Sequence, residues 1–240
     1  MQRLSGKSAL ITGAGRGIGR GIALAFAREG CNIAAVARSP DQIRDTAAAM
    51  AAMGVESVAL ECDAADPAAI TPTVDAALGA LGRIDILVNN AGYACFKPFD
   101  QLDLGEWQRT LAVNLTAPFL FTRAVIPAMK ANSGGWIINI SSVAGLKPIE
   151  QQSAYCASKH GLNGLTKVLA LELREHDIAV HAICPGGVDT QLSREAMPHR
   201  DKADWMTPED IAHAALYLAT QSSRATTDIL EIRRFGSTPL

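Results

Sequence analysis

The residues best suited to chemistry are Tyr155 and Lys159, four positions apart in "SSVAGLKPIEQQSAYCASKHGL" (141–162). On a helix this spacing places both side chains on one face. Lowering the pKa of a tyrosine from about 10 to ~7 requires roughly 4 kcal/mol of preference for the phenolate. A cation at ~4 Å can supply that order of energy at an effective dielectric of ~20. The pair suggests a proton-transferring tyrosine activated by a lysine, but Tyr-x-x-x-Lys alone also occurs by chance on many helices.

Two further polar residues have positions that could assist such chemistry. Ser142 follows the β-rich run "WIINIS" (136–141), so we expect its hydroxyl at the carboxyl edge of a sheet, where doubly wound folds bind ligands. A hydroxyl there can donate to a substrate oxygen as charge develops. It is not a hydrolase nucleophile elbow, because Ile140 and Ala144 stand where that motif has glycines. Asn114 is polar within an apolar helical pattern, which is equally typical of a core hydrogen bond.

A glycine-rich stretch, "ITGAGRGIG" (11–19), follows the first predicted strand and opens the first predicted helix. Its spacing is neither G-x-G-x-x-G, since Ile18 occupies the last glycine position, nor a P-loop, which needs G-K-[ST]. Backbone N–H groups at such a turn bind phosphate, and glycine lets the phosphate approach closely. The stretch therefore predicts a nucleotide site. Gly15 is expected to add backbone freedom.

The residues after the second predicted strand bear on which nucleotide binds. Dinucleotide sites for NAD usually carry Asp or Glu there to hold the ribose 2′-hydroxyl. This chain has no acid at 36–39 and has Arg38 instead, with Arg16 in the glycine turn nearby. Two guanidinium groups suit a 2′-phosphate, although both could be solvated surface residues. We therefore expect NADP(H), with NAD(H) as the alternative.

Short β-rich runs alternate with longer helical patterns along the whole chain, which predicts right-handed crossovers and a parallel sheet. The strand runs are apolar at nearly every position, as in strands covered on both faces. We predict an α/β, doubly wound (Rossmann) fold, a single domain over 1–240 with a seven-stranded parallel sheet and helices on both faces. The predicted strands are 8–12, 32–37, 57–62, 84–89, 136–141, 178–183 and 229–233, and the predicted helices are 18–29, 41–53, 67–80, 104–131, 152–176 and 208–220.

Composition excludes several function classes. The 240 residues carry a net charge of −2 and no basic block, so neither nucleic acid nor an anionic membrane is an expected partner. The N-terminus lacks a signal-peptide pattern, and no run reaches the ~18 consecutive apolar residues of a membrane helix, so we expect a cytoplasmic protein. Five scattered cysteines without C-x-x-C argue against disulfides and metal sites.

Taken together, these residues resemble the compact branch of the short-chain dehydrogenase/reductase family. Thr12, Gly13, Gly17 and Gly19 match its T-G-x-x-x-G-x-G, "NNAG" (89–92) its fourth-strand signature, and "CPGGVDT" (184–190) its segment after strand six. Asn114, Ser142, Tyr155 and Lys159 match its catalytic tetrad in order and spacing. The likeness covers roughly 5–220, and the motifs in order are far more specific than any one alone.

The resemblance implies hydride transfer between nicotinamide and a ketone, aldehyde or alcohol carbon. Tyr155 would be the general acid/base, Lys159 would lower its pKa and hold the ribose, Ser142 would orient the reacting oxygen, and Asn114 would anchor a water linking Lys159 to solvent. No metal is implied. Implied substrate contacts are Tyr93, Ser142, Gln152 and Gly187. Implied cofactor contacts are Gly13, Gly15, Arg16, Gly17, Ile18, Gly19, Arg38, Ser39, Asp63, Ala64, Asn90, Ala91, Gly92, Tyr155, Lys159, Pro185, Gly186, Val188 and Thr190.

The chain departs from the family at two places. After the seventh strand it reads "LEIRRFGSTPL" where the family commonly has V-D-G-G, and the substrate loop, about 185–207, is short, which suggests an open pocket. In this family the helices at 104–131 and 152–176 pair across a dimer axis, so a homodimer or homotetramer is expected. An NAD-dependent alcohol or sugar dehydrogenase, a non-catalytic NADP-binding regulator and a scaffold protein remain alternatives.

Overall fold

The structure is a computed structural model that describes residues 2–222 and 224–238. At its centre lies a parallel sheet of seven strands in the order β3-β2-β1-β4-β5-β6-β7. The order reverses between β1 and β4, and this switch point is where doubly wound folds bind ligands. The predicted Rossmann fold is confirmed. The strands are β1 (Ser8–Thr12), β2 (Asn32–Ala37), β3 (Ser57–Glu61), β4 (Ile86–Asn89), β5 (Gly135–Ile140), β6 (Ile178–Pro185) and β7 (Ile229–Ile232).

Helices cover both faces of the sheet because successive side chains of each strand point to opposite faces and both sets are apolar. In β1, Ala9 and Ile11 belong to a buried cluster with Phe26, whereas Leu10 belongs to a second cluster with Phe121. In the described residues the α-helices are α1 (Gly17–Arg28), α2 (Pro40–Ala51), α3 (Pro67–Leu81), α4 (Leu104–Leu111), α5 (Ala117–Ala131), α6 (Ser153–Glu172), α7 (Gln191–Ala196) and α8 (Pro208–Ala219).

The segment predicted as one helix over 104–131 is helical throughout but not uniformly α-helical. A capping box between Asp103 and Glu106 starts α4, and a π-helical turn at Ala112–Thr116 separates α4 from α5. By length and composition alone, with a mean hydropathy of 1.4, this stretch is apolar enough to cross a membrane. Here it packs against α3, α6 and the sheet, as core helices do.

The predicted substrate loop, about 185–207, is folded and contains α7. Thr190 begins α7 through a capping box with Ser193, and Val188 pairs with Met206 in an isolated bridge. The main chain of Asp189 donates to Met206 and that of Met206 to Gly187, so the two ends of the loop are tied together. This loop returns the chain to the carboxyl edge of the sheet.

Candidate active site

A cleft of about 710 Å³ lies at the carboxyl edge of the sheet, beside the switch point. It brings together residues from every predicted motif. Two predicted residues, Gly19 and Asn114, are not in its lining and lie directly behind it. The predicted residues that line the cleft are Gly13, Gly15, Arg16, Gly17, Ile18, Arg38, Ser39, Asp63, Ala64, Asn90, Ala91, Gly92, Tyr93, Ser142, Gln152, Tyr155, Lys159, Pro185, Gly186, Gly187, Val188 and Thr190.

The glycine turn is built around close backbone approach. Gly13 and Gly17 have φ of 66° and 55°, in a region of backbone conformation that residues other than glycine rarely adopt. A Cβ on Gly13 would lie 2.7 Å from Nδ2 of Asn90, and one on Gly19 would overlap both that atom and the carbonyl of Gly13. Gly15 has no positive φ, and a Cβ there would press on Gln42. The expectation that Gly15 adds backbone freedom is therefore wrong, since its role is to make room.

The N-N-A-G segment after β4 is fastened to this turn. The Thr12 hydroxyl accepts from the main-chain N–H groups of Asn90 (2.9 Å) and Ala91 (3.0 Å), and it donates to the carbonyl of Val88. The amide of Asn90 donates to the carbonyl of Thr12 at 2.8 Å. The bonds hold the floor of the cleft in one arrangement and leave the N–H groups at the start of α1 facing the cleft.

The end of β2 presents positive charge to the cleft. Ala37 ends the strand, Arg38 is exposed, and Ser39 precedes α2 without making a capping hydrogen bond. Arg38 forms no ion pair within the part of the chain that the structure describes, and Arg16 only approaches Glu195, at 3.9 Å. Two guanidinium groups and a hydroxyl thus lie beside the glycine turn without a strong anionic partner, which suits a bound phosphate.

Tyr155 and Lys159 lie in the first two turns of α6 and face the cleft. The Lys159 ammonium donates to the carbonyl of Ile140, the last residue of β5, at 2.8 Å and lies 5.6 Å from the centre of the Tyr155 ring. The ring of Phe96 packs edge-on against Tyr155 at 5.3 Å. Ser142 follows β5, and its hydroxyl accepts from the N–H of Ala144. The tyrosine, lysine and serine therefore share one wall.

Burial is the largest influence on the pKa values of Tyr155 and Lys159. It raises the pKa of Tyr155 to about 12, with the hydrogen bond of the Ser142 hydroxyl acting in the opposite direction. It lowers the pKa of Lys159 to about 8, because the ammonium is taken from water with only a carbonyl as partner. The Tyr155 pKa is thus raised, and the expected lowering by Lys159 is not seen. A raised pKa favours the protonated phenol at neutral pH.

Asn114 lies in the π-helical turn, a local distortion frequent at functional sites. Its fully buried side chain accepts from the main-chain N–H of Tyr93 and donates to the carbonyl of Tyr93, both at 2.9 Å. It also donates to Ser158, whose hydroxyl donates to the carbonyl of Tyr155. The side chain thus fixes the chain after N-N-A-G and the first turn of α6. Its side-chain amide is engaged by these bonds, and the expected role of Asn114 as a water anchor stays a prediction.

Several lining residues were missed by sequence reasoning. Trp205 packs its indole ring on Gly187, where a Cβ would lie 2.9 Å from the ring, and Arg234 lies 5.9 Å from that ring. The sequence signal for Trp205 is that it is a lone aromatic residue in a polar loop. The signal for Arg234 is that it lies where the chain departs from V-D-G-G. The residues missed on the substrate side are Phe96, Arg109, Ile149, Met197, Arg200, Trp205 and Arg234.

Comparison with known proteins agrees with this site. A model of the short chain dehydrogenase family matches residues 7–201. The chain is 40% identical over 230 residues to a D-threitol dehydrogenase of Mycolicibacterium smegmatis, covering 92% of this chain and 88% of that one. A metagenomic short-chain oxidoreductase in complex with NADP is 39% identical, with a TM-score of 0.85 and coverage of 97% and 99%. A putative NAD(P)-dependent gluconate 5-dehydrogenase from Beutenbergia cavernae, with bound NADP at low occupancy, is 34% identical, with a TM-score of 0.88 and coverage of 95% of each chain.

Proposed function

Because this chain belongs to the short-chain dehydrogenase family and is an oxidoreductase that acts on CH–OH groups, we propose that it interconverts a ketone or aldehyde and its alcohol with NADP(H). One observation carries the proposal: Tyr155, Lys159 and Ser142 share a cleft with a glycine turn suited to phosphate. Arg16 and Arg38, with no acid at 36–39, favour the 2′-phosphate, and two similar structures hold NADP. NAD(H) is the alternative cofactor.

The residues that could hold the cofactor lie on the side of the cleft that the glycine turn forms. The N–H groups at the start of α1 would hold the pyrophosphate, Arg16, Arg38 and Ser39 the 2′-phosphate, and Asp63 the adenine. The segment 185–188 and Thr190 would hold the carboxamide. When bound, NADPH supplies a hydride to the carbonyl carbon of the substrate.

The chain's own residues supply the proton and orient the oxygen. In reduction, the phenol of Tyr155 donates its proton to the carbonyl oxygen, which suits a group that is protonated at neutral pH. The Ser142 hydroxyl donates a hydrogen bond to the same oxygen. The Lys159 ammonium stabilises the phenolate that remains, and Asn114 holds the first turn of α6 so that the tyrosine keeps its position.

The proposed reaction is tested with a Tyr155→Phe variant. Oxidation of NADPH is followed by absorbance over a panel of ketones and aldehydes, with the binding of NADPH measured in parallel. We expect the variant to bind NADPH as wild type does and to lose at least about 100-fold in turnover, since general acid catalysis contributes roughly 10²–10⁴-fold. If wild type and variant bind NADPH and are equally inert on the whole panel, the protein is a binding module and the proposed activity is wrong.

The cofactor choice is tested with Arg38→Asp. This change removes a hydrogen-bond donor to the 2′-phosphate and adds an acid able to hold a ribose 2′-hydroxyl. The ratio of kcat/KM with NADPH to that with NADH should fall by about ten-fold or more, because a charge-assisted hydrogen bond contributes about 1.5–3 kcal/mol. Arg28→Asp, on α1 and outside the cleft lining, is the control for net charge. An unchanged ratio would mean that Arg38 does not contact the cofactor.

A further inference from the structure

The cleft is far more positive than the protein as a whole. The chain has a net charge of −2, yet within the described residues the cleft lining contains six cationic side chains and a single carboxylate, that of Asp63. Such a lining concentrates anions, because low-dielectric walls focus the field. The six cations are Arg16, Arg38, Arg109, Lys159, Arg200 and Arg234.

Two of these arginines belong neither to the glycine turn nor to the end of β2. Arg200 is in the substrate loop, and Arg234 follows β7, where the resemblance leads one to expect V-D-G-G. The N–H of Gly186 donates to the carbonyl of Ile232 at 2.8 Å, which brings the chain after β7 beside Gly186 and Gly187. The proposed phosphate contacts of the cofactor do not require either arginine.

Arg234 is held in place, and some of its hydrogen-bond donors are not used by the contacts that hold it. Its Nη1 donates to both carboxylate oxygens of Asp204, at 2.7 and 2.8 Å, and its guanidinium lies over the ring of Trp205. These bonds use one nitrogen, so Nε and Nη2 remain for a ligand. Lys202 also approaches Trp205, and its ammonium lies 5.3 Å from the ring centre.

Arg200 is positioned by the same loop and has no carboxylate partner in the part of the chain that the structure describes. Lys202 donates to the carbonyls of Met197 and Arg200 at 2.7 and 2.8 Å, and the N–H of Arg200 donates to Met197. The loop is thus fastened around Arg200, and the side chain stays exposed at the cleft.

Apolar side chains also line the cleft. Phe96 packs against Tyr155, and Ile149, Met197 and Trp205 add further hydrocarbon surface to the same cleft. A ligand that fills this region needs a short carbon skeleton with a charged end, since a fully apolar ligand would partly desolvate the Arg200 guanidinium without an anion and leave the unused donors of Arg234 without an acceptor.

Resting on the proposed function, we propose that the substrate is a small keto or hydroxy compound that carries a carboxylate or a phosphate. Arg200 and Arg234 bind that anion, Trp205 and its apolar neighbours contact the carbon skeleton, and the reacting oxygen reaches Tyr155 and Ser142. The chain after β7, which departs from the family pattern, then contributes directly to substrate choice.

The proposal is tested with matched pairs that differ in charge. For carboxylates, 2-oxobutanoate, 3-oxobutanoate and 4-oxopentanoate are compared with their methyl esters; for phosphates, dihydroxyacetone phosphate is compared with dihydroxyacetone. In at least one pair kcat/KM with NADPH should be about ten-fold or more higher for the anion, the range expected for a charged hydrogen bond. In Arg200→Gln and Arg234→Gln this ratio should fall about ten-fold, mainly through KM for the anion.

Arg194→Gln is the matched control. Arg194 is on the same loop, forms an ion pair with Asp189 and does not line the cleft, so this change removes one charge and should keep the ratio. An equal fall in Arg194→Gln would attribute the effect to net charge or to loop folding and would overturn the proposal. A rise in KM for NADPH without a change in the ratio would assign Arg200 to the cofactor and would also overturn it.

The outcome separates this proposal from the proposed function. If the esters and dihydroxyacetone are reduced and no anion is preferred, the proposed oxidoreductase activity stands and the anion site is overturned. If none of these compounds is reduced, binding of succinate to the protein with NADPH is measured by quenching of tryptophan fluorescence. Saturable quenching that Arg200→Gln weakens supports the anion site, and its absence overturns it.

Discussion

At the scale of single residues, the site combines groups whose protonation is set by burial. Lys159 is 4% exposed and has a carbonyl, not a carboxylate, as its partner. Its pKa is lowered to about 8 because the charged form loses hydration that the carbonyl only partly replaces. The protein therefore keeps a cation beside Tyr155 at a cost in stability, as functional sites often do.

We predict that Lys159→Met makes the cofactor-free protein more stable at pH 7. A shift from 10.5 to about 8 corresponds to roughly 3 kcal/mol, and the bond lost at Ile140 offsets part of it, so a net gain of about 1–2 kcal/mol is expected. Between pH 8 and 10.5 the unfolded chain binds more protons than the folded one, so the stability of wild type rises with pH.

Urea unfolding at pH 7 and pH 10 checks this prediction. The advantage of the variant should shrink at pH 10, where the folded wild type has lost the buried charge, while catalytic activity is lost at both pH values. Lys167→Met, on the same helix, is the control. A variant less stable than wild type at pH 7 would show that the lysine's contacts outweigh its desolvation.

At the scale of elements, the site depends on how closely α1 approaches the turn before it and the segment after β4. The amide of Asn90 bonds both Thr12 and Gly13, and Gly19 leaves the space that this amide occupies. The π-helical turn, which contains Asn114, is the second element on which the site depends. Pro118, four residues after Asn114, has no N–H, so the carbonyl of Asn114 lacks the usual helical donor.

We predict that Gly19→Ala destabilises the protein by about 1–3 kcal/mol and weakens cofactor binding, because overpacking forces α1 away from the turn. Gly79→Ala is the matched control: Gly79 is within α3, and a Cβ there meets no atom within 4 Å. That change should stabilise by about 0.5–1 kcal/mol through helix propensity. Thermal unfolding and titration with NADPH measure both effects. Similar stability of the two variants would contradict the packing argument.

At the scale of the whole molecule, α4, α5 and α6 leave large apolar side chains exposed. Phe119 on α5 and Val168 and Leu171 on α6 are 45%, 50% and 71% exposed, and Leu104 at the start of α4 is 69% exposed. Large apolar side chains that cluster on an exposed surface usually mark an interface. We propose that α4, α5 and α6 pair with the same helices of a second copy, as the family resemblance implies.

We predict that wild type elutes in gel filtration with at least twice the mass of one chain. The double change Val168→Lys and Leu171→Lys should shift it to one chain, because it buries two charges without partners at the interface. Tyr217→Lys, an exposed position of α8, is the control and should not change the elution. Elution of wild type as a single chain would contradict the proposed assembly.

The sequence by itself determined the fold class and most of the cleft. Strand and helix periodicity is local, so β1 to β7 could be read from short apolar runs, and motifs at the carboxyl ends of β1, β4, β5 and β6 must meet because parallel strands share an edge. That reasoning anticipated Gly13, Ser142, Tyr155 and Lys159 as neighbours across one cleft.

Only the tertiary structure decided what depends on burial and on contacts between distant segments. It shows that Lys159 bonds Ile140 while burial raises the pKa of Tyr155, and that Asn114 holds the main chain of Tyr93. It also brings Arg234 to Trp205 and Asp204, about thirty residues earlier in the chain. Desolvation and long-range contact have no local sequence signal, because both arise only when the sheet edge and its loops are assembled.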